Sequence, residues 1–165
     1  MSSTEEHIEQ IVNLLCASNW TLATAESCTG GLLGAACTEL SGSSRWYAGG
    51  CVTYTNELKI KLIGVSKETL QTQGAVSLEV ALEMCQGVAK ACDAQVSIST
   101  TGIAGPSGGT ETKPIGTVCI GCYVDGEVHA SLFNFQGDRQ SVRKQTVVAS
   151  LEMCLSVLRG DVDER

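Results

Sequence analysis

The sequence predicts one α/β domain, a three-layer α/β/α sandwich around a mixed, mostly parallel sheet of about five strands. Three observations predict it. Short β-like runs alternate with helical stretches along most of the chain, the pattern of a sheet covered by helices on both faces. The last two β-like runs meet at Asp125-Gly126, a dipeptide that favours a tight hairpin, so part of the sheet is antiparallel. The length, 165 residues, suits a single compact domain with its own core, spanning 1–165.

The elements follow in order. Ile8, Ile11, Val12 and Leu15 fall at helical spacing and predict an amphipathic helix over about 4–18. Residues 21–25 read as a short strand. Glu26-Ser27-Cys28-Thr29-Gly30-Gly31 then turns the chain into a helix that carries Leu32, Leu33, Ala36 and Leu40 inward, and Ser41-Gly42-Ser43-Ser44 ends it. A second strand covers 46–54, and a short helix runs to about Leu62. Ser77 is a good N-cap and Glu79 suits the first turn of a helix reaching about Cys92. Residues 95–100 form a third strand. Thr101–Pro114 is a constrained loop with four glycines and two prolines. Strands over 115–124 and 128–135 make the hairpin. Asp138 caps a final helix to about Arg159, and Gly160–Arg165 is a polar tail. No internal repeat or linker interrupts this order.

Composition narrows the function classes. The formal net charge is −7, and only 4% of residues are aromatic. An acidic surface with few stacking platforms disfavours nucleic acid, while leaving room for a small phosphorylated ligand in a local pocket. The polar N-terminus lacks the basic and apolar segments of a signal peptide, and no run approaches the ~20 apolar residues that span a bilayer. The expectation is a cytoplasmic protein without membrane contact.

Nine cysteines, an odd number, argue against a disulfide framework. Most lie in apolar segments, where Cys behaves as a small hydrophobe. Cys119 and Cys122 have CxxC spacing, but in a strand residues three apart point to opposite faces. With only His7 and His129 available, neither a zinc cluster nor an ordinary Ser-His-Asp triad suggests itself.

Four segments carry candidate chemistry. In Glu26–Gly31, Ser27 follows a strand and precedes a helix, where free N–H groups and the macrodipole favour a phosphate or a developing oxyanion. Gly30 and Gly31 allow close approach of a ligand to the backbone. The same residues also fit a plain serine N-cap with glycines for a tight bend. In Tyr54–Lys59, a desolvated Lys59 would serve as a base toward a serine hydroxyl, and Asn56 could donate to a carbonyl or phosphate. Alternatively, Lys59 and Lys61 are solvated helix-surface lysines. The loop Thr100–Gly109 follows a strand and presents backbone N–H groups, yet it is neither a Walker A loop nor a dinucleotide fingerprint. Arg139 and Arg143, four apart at the start of the last helix, share one face and could clamp a phosphate or carboxylate, or could simply lie on the surface. Gathered at one sheet edge, these segments would support serine attack on an amide or ester, with lysine or tyrosine moving protons.

Ala25–Gly31, Gly42-Ser43-Ser44, Val52–Glu57, Gly74–Ser77, Thr101–Pro106 and Gly116-Thr117-Val118 resemble, as an ordered set over about 7–158, the CinA C-terminal domain family. The resemblance implies a PncC-type nicotinamide-nucleotide amidase. That reaction takes nicotinamide mononucleotide and water to nicotinate mononucleotide and ammonia, in pyridine nucleotide salvage, without metal or organic cofactor and often in a homo-oligomer. It implies Ser27 as nucleophile with Tyr54 and Lys59 as catalytic partners. Around the substrate it places Thr29, Gly30, Asn56, Thr101, Gly102 and Arg139, to which Cys28, Gly31, Gly105 and Arg143 are added as neighbours in the same segments. Many family members carry a further N-terminal domain, whose activities are not carried over. The alternative is a non-catalytic nucleotide-binding or regulatory domain in which Ser27 holds a phosphate. A different amidase or esterase with a phosphorylated substrate is a further alternative.

Overall fold

The computed structural model describes residues 2–161. Six α-helices and five strands follow one another as α1 (Ser3–Ser18), β1 (Leu22–Glu26), α2 (Leu32–Thr38), β2 (Tyr47–Val52), α3 (Asn56–Ile63), α4 (Lys67–Gln73), α5 (Leu78–Ala91), β3 (Val96–Gly102), β4 (Thr117–Val124), β5 (Glu127–Asn134) and α6 (Arg139–Leu158), with a 3-10 turn at Ser43–Arg45. The strands form one sheet in the order β2-β1-β3-β4-β5. β1 pairs in parallel with β2 and β3, whereas β3–β4 and β4–β5 are antiparallel, so only β4 runs against the other four. The expected mixed α/β/α sandwich is what forms.

Two apolar clusters flank the sheet. α1, α2 and α6 pack on one face around Ile8, Ile11, Leu15, Leu33, Val142 and Leu151. α3, α4 and α5 cover the other around Ile63, Leu70, Val80, Met84 and Val88. Alternation along β1 feeds both, with Leu22 entering the first cluster and Ala23 and Ala25 the second. β3 is tied through polar groups to α5 and to the segment just before it. Ser97, Ser99 and Thr101 share one face and donate to the carbonyls of Cys85, Ala81 and Ala75 at 2.5, 2.7 and 2.8 Å.

Local chemistry sets the boundaries. Ser2 forms a capping box with Glu5, and Ser77 and Asp138 accept from the N–H groups of Val80 and Ser141. Asp125 and Gly126 both have positive φ, as a two-residue hairpin turn requires. Three expectations shift. Leu32 is 38% exposed, and the inward face of α2 is instead Leu33, Ala36 and Cys37, with Leu40 half-buried beyond the helix end. Helix α4 was not foreseen, because Leu70 is its only buried residue in an otherwise polar run. Thr101 and Gly102 belong to β3 rather than to the following loop. Most of the expected tail, 162–165, lies outside the described residues.

Candidate active site

The C-terminal ends of β1, β2 and β3 meet at one edge of the sheet. Glu26 stands level with Val52 on one side and Thr100 on the other. The ladder continues one step beyond, with Ser27 N–H donating to the Thr100 carbonyl at 2.9 Å and Thr53 N–H to the Glu26 carbonyl at 2.8 Å. β5 runs the same way, so the start of α6 arrives at this edge too.

Ser27 sits just past β1 and is nearly buried. It does not cap α2, whose N-cap is Gly31 with no side-chain bond. Its hydroxyl lies 3.1 Å from the Lys59 Nζ, which also donates to the Thr53 carbonyl at 2.8 Å. Lys59 is on the inward face of α3, one turn before Ile63, and is only 1% exposed. No carboxylate pairs with it among the described residues. Burial therefore lowers its pKa from 10.5 to about 8, with the neighbouring Cys28 thiol opposing the shift weakly. Lys61, two positions on, is exposed. The two lysines thus divide between the alternatives that sequence leaves open.

The helix end after Ser27 already holds an anion of the protein's own. Glu26 shares the face of Leu22 and Thr24, so its side chain lies beneath the start of α2. One carboxylate oxygen accepts from Thr29 Oγ1 at 2.6 Å, Gly31 N–H at 3.2 Å and Leu33 N–H at 2.8 Å. The other accepts from Gly34 N–H at 3.0 Å. These are the free N–H groups that the sequence offered to a phosphate. The oxyanion candidates that remain are the N–H groups of Cys28 and Thr29, which no other described residue accepts. Gly30 and Gly31, at φ +58° and +110°, take the left-handed turn that brings the chain from Ser27 into the helix.

Arg143 fixes this turn from outside. Its Nε donates to the Cys28 carbonyl and its Nη2 to the Thr29 carbonyl, both at 3.1 Å. Within a trans peptide the N–H points opposite to the carbonyl, so gripping Cys28 C=O also aims the Thr29 N–H. Arg139, one turn earlier, does something different. It donates to the Gly105 carbonyl at 2.8 Å and to the Tyr54 phenol oxygen at 3.1 Å. The two arginines share a helix face but do not form one clamp.

A cavity of about 250 Å³ opens here, lined by Cys28, Tyr54, Gly102–Gly105, Ser107, Gly108 and Arg139. Tyr54 is 58% exposed at its mouth, and no hydrogen bond joins its phenol to Ser27 or Lys59. Thr101, turned toward α5, is anchored to Ala75 and does not line the cavity. Its neighbour Thr100 does the work expected nearby, with its hydroxyl 2.8 Å from that of Thr29. Asn56 opens α3 on the exposed side and is not among the lining residues. Thr100, Thr53 and Glu26 take part in the site without standing out in the sequence. Strand alternation through Ser97-Ile98-Ser99-Thr100-Thr101 separates Thr100 from Thr101 and could have found the first.

Six of the nine thiols are buried, and Cys16 is exposed. All nine are free. Burial pushes Cys28 up to about 11 and Cys85 to about 12, and Cys37 higher still. Cys122 faces Cys154 of α6, while Cys119 lies on the side of Lys113 and Glu79. No group of three or more His, Cys, Asp or Glu among the described residues could hold a metal ion.

The profile of the CinA C-terminal domain matches residues 4–158, nearly the whole chain. The chain belongs to this family. A relative from Clostridium botulinum (strain Loch Maree / Type A3), described as competence-damage inducible, is 48% identical over 151 residues. A CinA-like protein from Fervidobacterium nodosum is 42% identical over 149 residues. These alignments cover 91% and 90% of this chain but only 37% and 36% of those relatives, so the chain spans little more than a third of their length. Solved structures agree in fold over most of their length. The competence/damage inducible protein CihA from Agrobacterium tumefaciens matches with a TM-score of 0.91 at 39% identity, covering 96% of this chain and 97% of that one. A CinA superfamily protein from Escherichia coli matches with a TM-score of 0.85 at 34% identity, covering 96% and 90%. Among the described residues no helix is long and apolar enough to cross a membrane.

Proposed function

We propose that this CinA-family domain is a serine amidohydrolase that converts nicotinamide mononucleotide and water to nicotinate mononucleotide and ammonia. The observation that carries the catalytic part is the Ser27–Lys59 pair: a nearly buried hydroxyl 3.1 Å from a buried lysine with no carboxylate partner. A lysine desolvated in this way is partly neutral near pH 7 and can take a proton from serine. A domain that only bound phosphate would gain nothing from burying an amine against Ser27, since a solvated lysine binds phosphate at lower cost. The choice of amide rests on family resemblance; the cavity of about 250 Å³ reaches Cys28, next to Ser27, but neither Ser27 nor Lys59 is among its lining residues.

In this scheme Lys59 accepts the Ser27 proton as Oγ attacks the carboxamide carbon. The N–H groups of Cys28 and Thr29 hold the oxyanion, and Arg143, bonded to the Cys28 carbonyl, keeps the peptide plane of the Thr29 N–H in place. Lys59 then returns the proton to the departing nitrogen, releasing ammonia and leaving an acyl-enzyme. A water molecule, deprotonated by Lys59, hydrolyses that ester. The phosphate is assigned to the backbone of the Gly102–Gly108 loop with Arg139, the cationic end of the cavity. Tyr54 is assigned to the same ligand end, because its phenol is bonded to Arg139 and not to the Ser27–Lys59 pair. The test is ammonia release from nicotinamide mononucleotide by wild type and Ser27→Ala. Release by the first and none by the second is the expected result.

A further inference from the structure

Thr53 stands between the nucleophile strand and the lysine. Its N–H donates to the carbonyl of Glu26, the residue before Ser27, and its carbonyl accepts from Lys59 Nζ. Both backbone groups are therefore engaged, and the residue is fully buried. Its hydroxyl is not engaged: Thr53 Oγ1 is buried without any hydrogen-bond partner. Such a group is destabilising, and buried polar atoms are satisfied in the great majority of cases. A valine of the same shape would remove the penalty. An orphan hydroxyl on the residue that already holds Lys59 calls for a function.

Counting N–H groups on Lys59 supplies one. The neutral amine has two, and the structure gives it two polar neighbours, the Thr53 carbonyl and Ser27 Oγ. With one N–H on the carbonyl, its lone pair can face the serine proton. After the proton moves from Ser27 Oγ to Nζ, the ammonium has three N–H groups. One stays on the Thr53 carbonyl and one faces the serine oxygen, and later the departing nitrogen. The third needs an acceptor in a site without a carboxylate.

We propose that Thr53 is a positioning residue of the Ser27–Lys59 pair, its buried hydroxyl turning to accept the third N–H of the Lys59 ammonium that forms on proton transfer. In the active form, with Lys59 neutral, the hydroxyl is unpartnered before the proton moves and bonded after it; its contribution falls on the ammonium form of Lys59, whether that proton comes from Ser27 or, in the resting protein, from water. Other ionisable groups nearby are already engaged or uncharged. Glu26 caps α2, Arg143 holds the Cys28 and Thr29 carbonyls, Arg139 and Tyr54 bond each other, and the Cys28 thiol is kept protonated by burial. From the helices covering this face, Glu83 of α5 accepts from Ser66 N–H, and Glu57 and Lys61 of α3 are exposed.

The proposal rests on the amidohydrolase reading, but its test does not require that substrate. The Lys59 Nζ is titrated in the resting protein by NMR of ¹³Cε-lysine, its resonance identified by loss in Lys59→Arg. Thr53→Val and Thr53→Ala remove the hydroxyl, and Thr53→Ser keeps it. Having two hydroxyl-free variants guards against one failing to fold. The expected result is a Lys59 midpoint lowered by about one unit or more without the hydroxyl, and restored by serine. Thr53→Val should melt no lower than wild type, and kcat for ammonia release should fall about 10- to 100-fold with KM little changed. An unchanged Lys59 midpoint in Thr53→Val or Thr53→Ala overturns the proposal. Failure of the wild type to release ammonia would instead count against the substrate, leaving the titration to decide the role of Thr53.

Discussion

Replacing Glu26 with glutamine changes one carboxylate oxygen into an NH₂ group at the start of α2. The amide oxygen can keep the place of the one that accepts from Thr29, Gly31 and Leu33. The NH₂ must then face the Gly34 N–H, donor against donor. Losing one bond to a buried charged group costs about 1.5–3 kcal/mol. Removing the negative charge from the helix N-terminus adds ~0.3–2 kcal/mol, the upper end applying to buried geometry. Together these give about 2–5 kcal/mol, and for a chain of this size a melting temperature lower by roughly 5–20 °C. Urea denaturation followed by far-UV circular dichroism and by the fluorescence of buried Trp46 measures it. A stability within about 0.5 kcal/mol of wild type would refute the reasoning, since Glu26 could not then be the anion that completes the helix.

The remaining predictions concern the site. Lys59 must be neutral to act as a base, so kcat/KM should rise about tenfold per pH unit below about 8 and level off above it; a profile flat from pH 6 to 9 contradicts that role. The same shift has a stability consequence. The unfolded state holds the Lys59 proton up to about 10.5 while the folded state releases it near 8, so the lysine's cost of about 3 kcal/mol is present below pH 8 and disappears between 8 and 10.5. Lys59→Met should lose activity and lack this gain in stability with rising pH; equal slopes in the two proteins would count against a depressed pKa. Arg143→Ala should lower kcat by about 10- to 100-fold with a smaller change in KM, because it frees the peptide that carries the Thr29 N–H rather than a ligand contact. Tyr54→Phe should keep kcat within about tenfold of wild type, and a much larger loss would return the phenol to the proton path.

The sequence reveals the architecture of this protein more readily than its hydrogen bonding. Apolar periodicity marks α1, the Ser77 cap and Glu79 mark the start of α5, and Asp125-Gly126 marks the hairpin, because each feature is local. α4 escaped notice because one leucine in seven residues carries no period. At the site, the Ser27 and Lys59 segments were singled out from residue types at a strand end and an early helical turn. Whether Lys59 was buried or solvated depended on how α3 docks, which no local pattern states. Glu26 was read as part of a turn, and the helix N–H groups were offered to a ligand. That the carboxylate folds under α2 follows from the side of β1 it occupies, which depends on the register with β2 and β3. Arg143 reads from sequence as either a ligand clamp or a surface arginine for a similar reason: spacing puts it on the face of Arg139 but does not say which carbonyls that face meets. The orphan hydroxyl of Thr53 is visible only once its surroundings are.

Ammonia release from nicotinamide mononucleotide, measured with purified wild type and Ser27→Ala side by side, tests the proposed reaction most directly. The structure and family together predict steady release by the wild type and none above background by the variant, with both proteins melting at similar temperatures. Folded wild-type protein that releases no ammonia, or a Ser27→Ala variant that matches it, would contradict the serine amidohydrolase assignment.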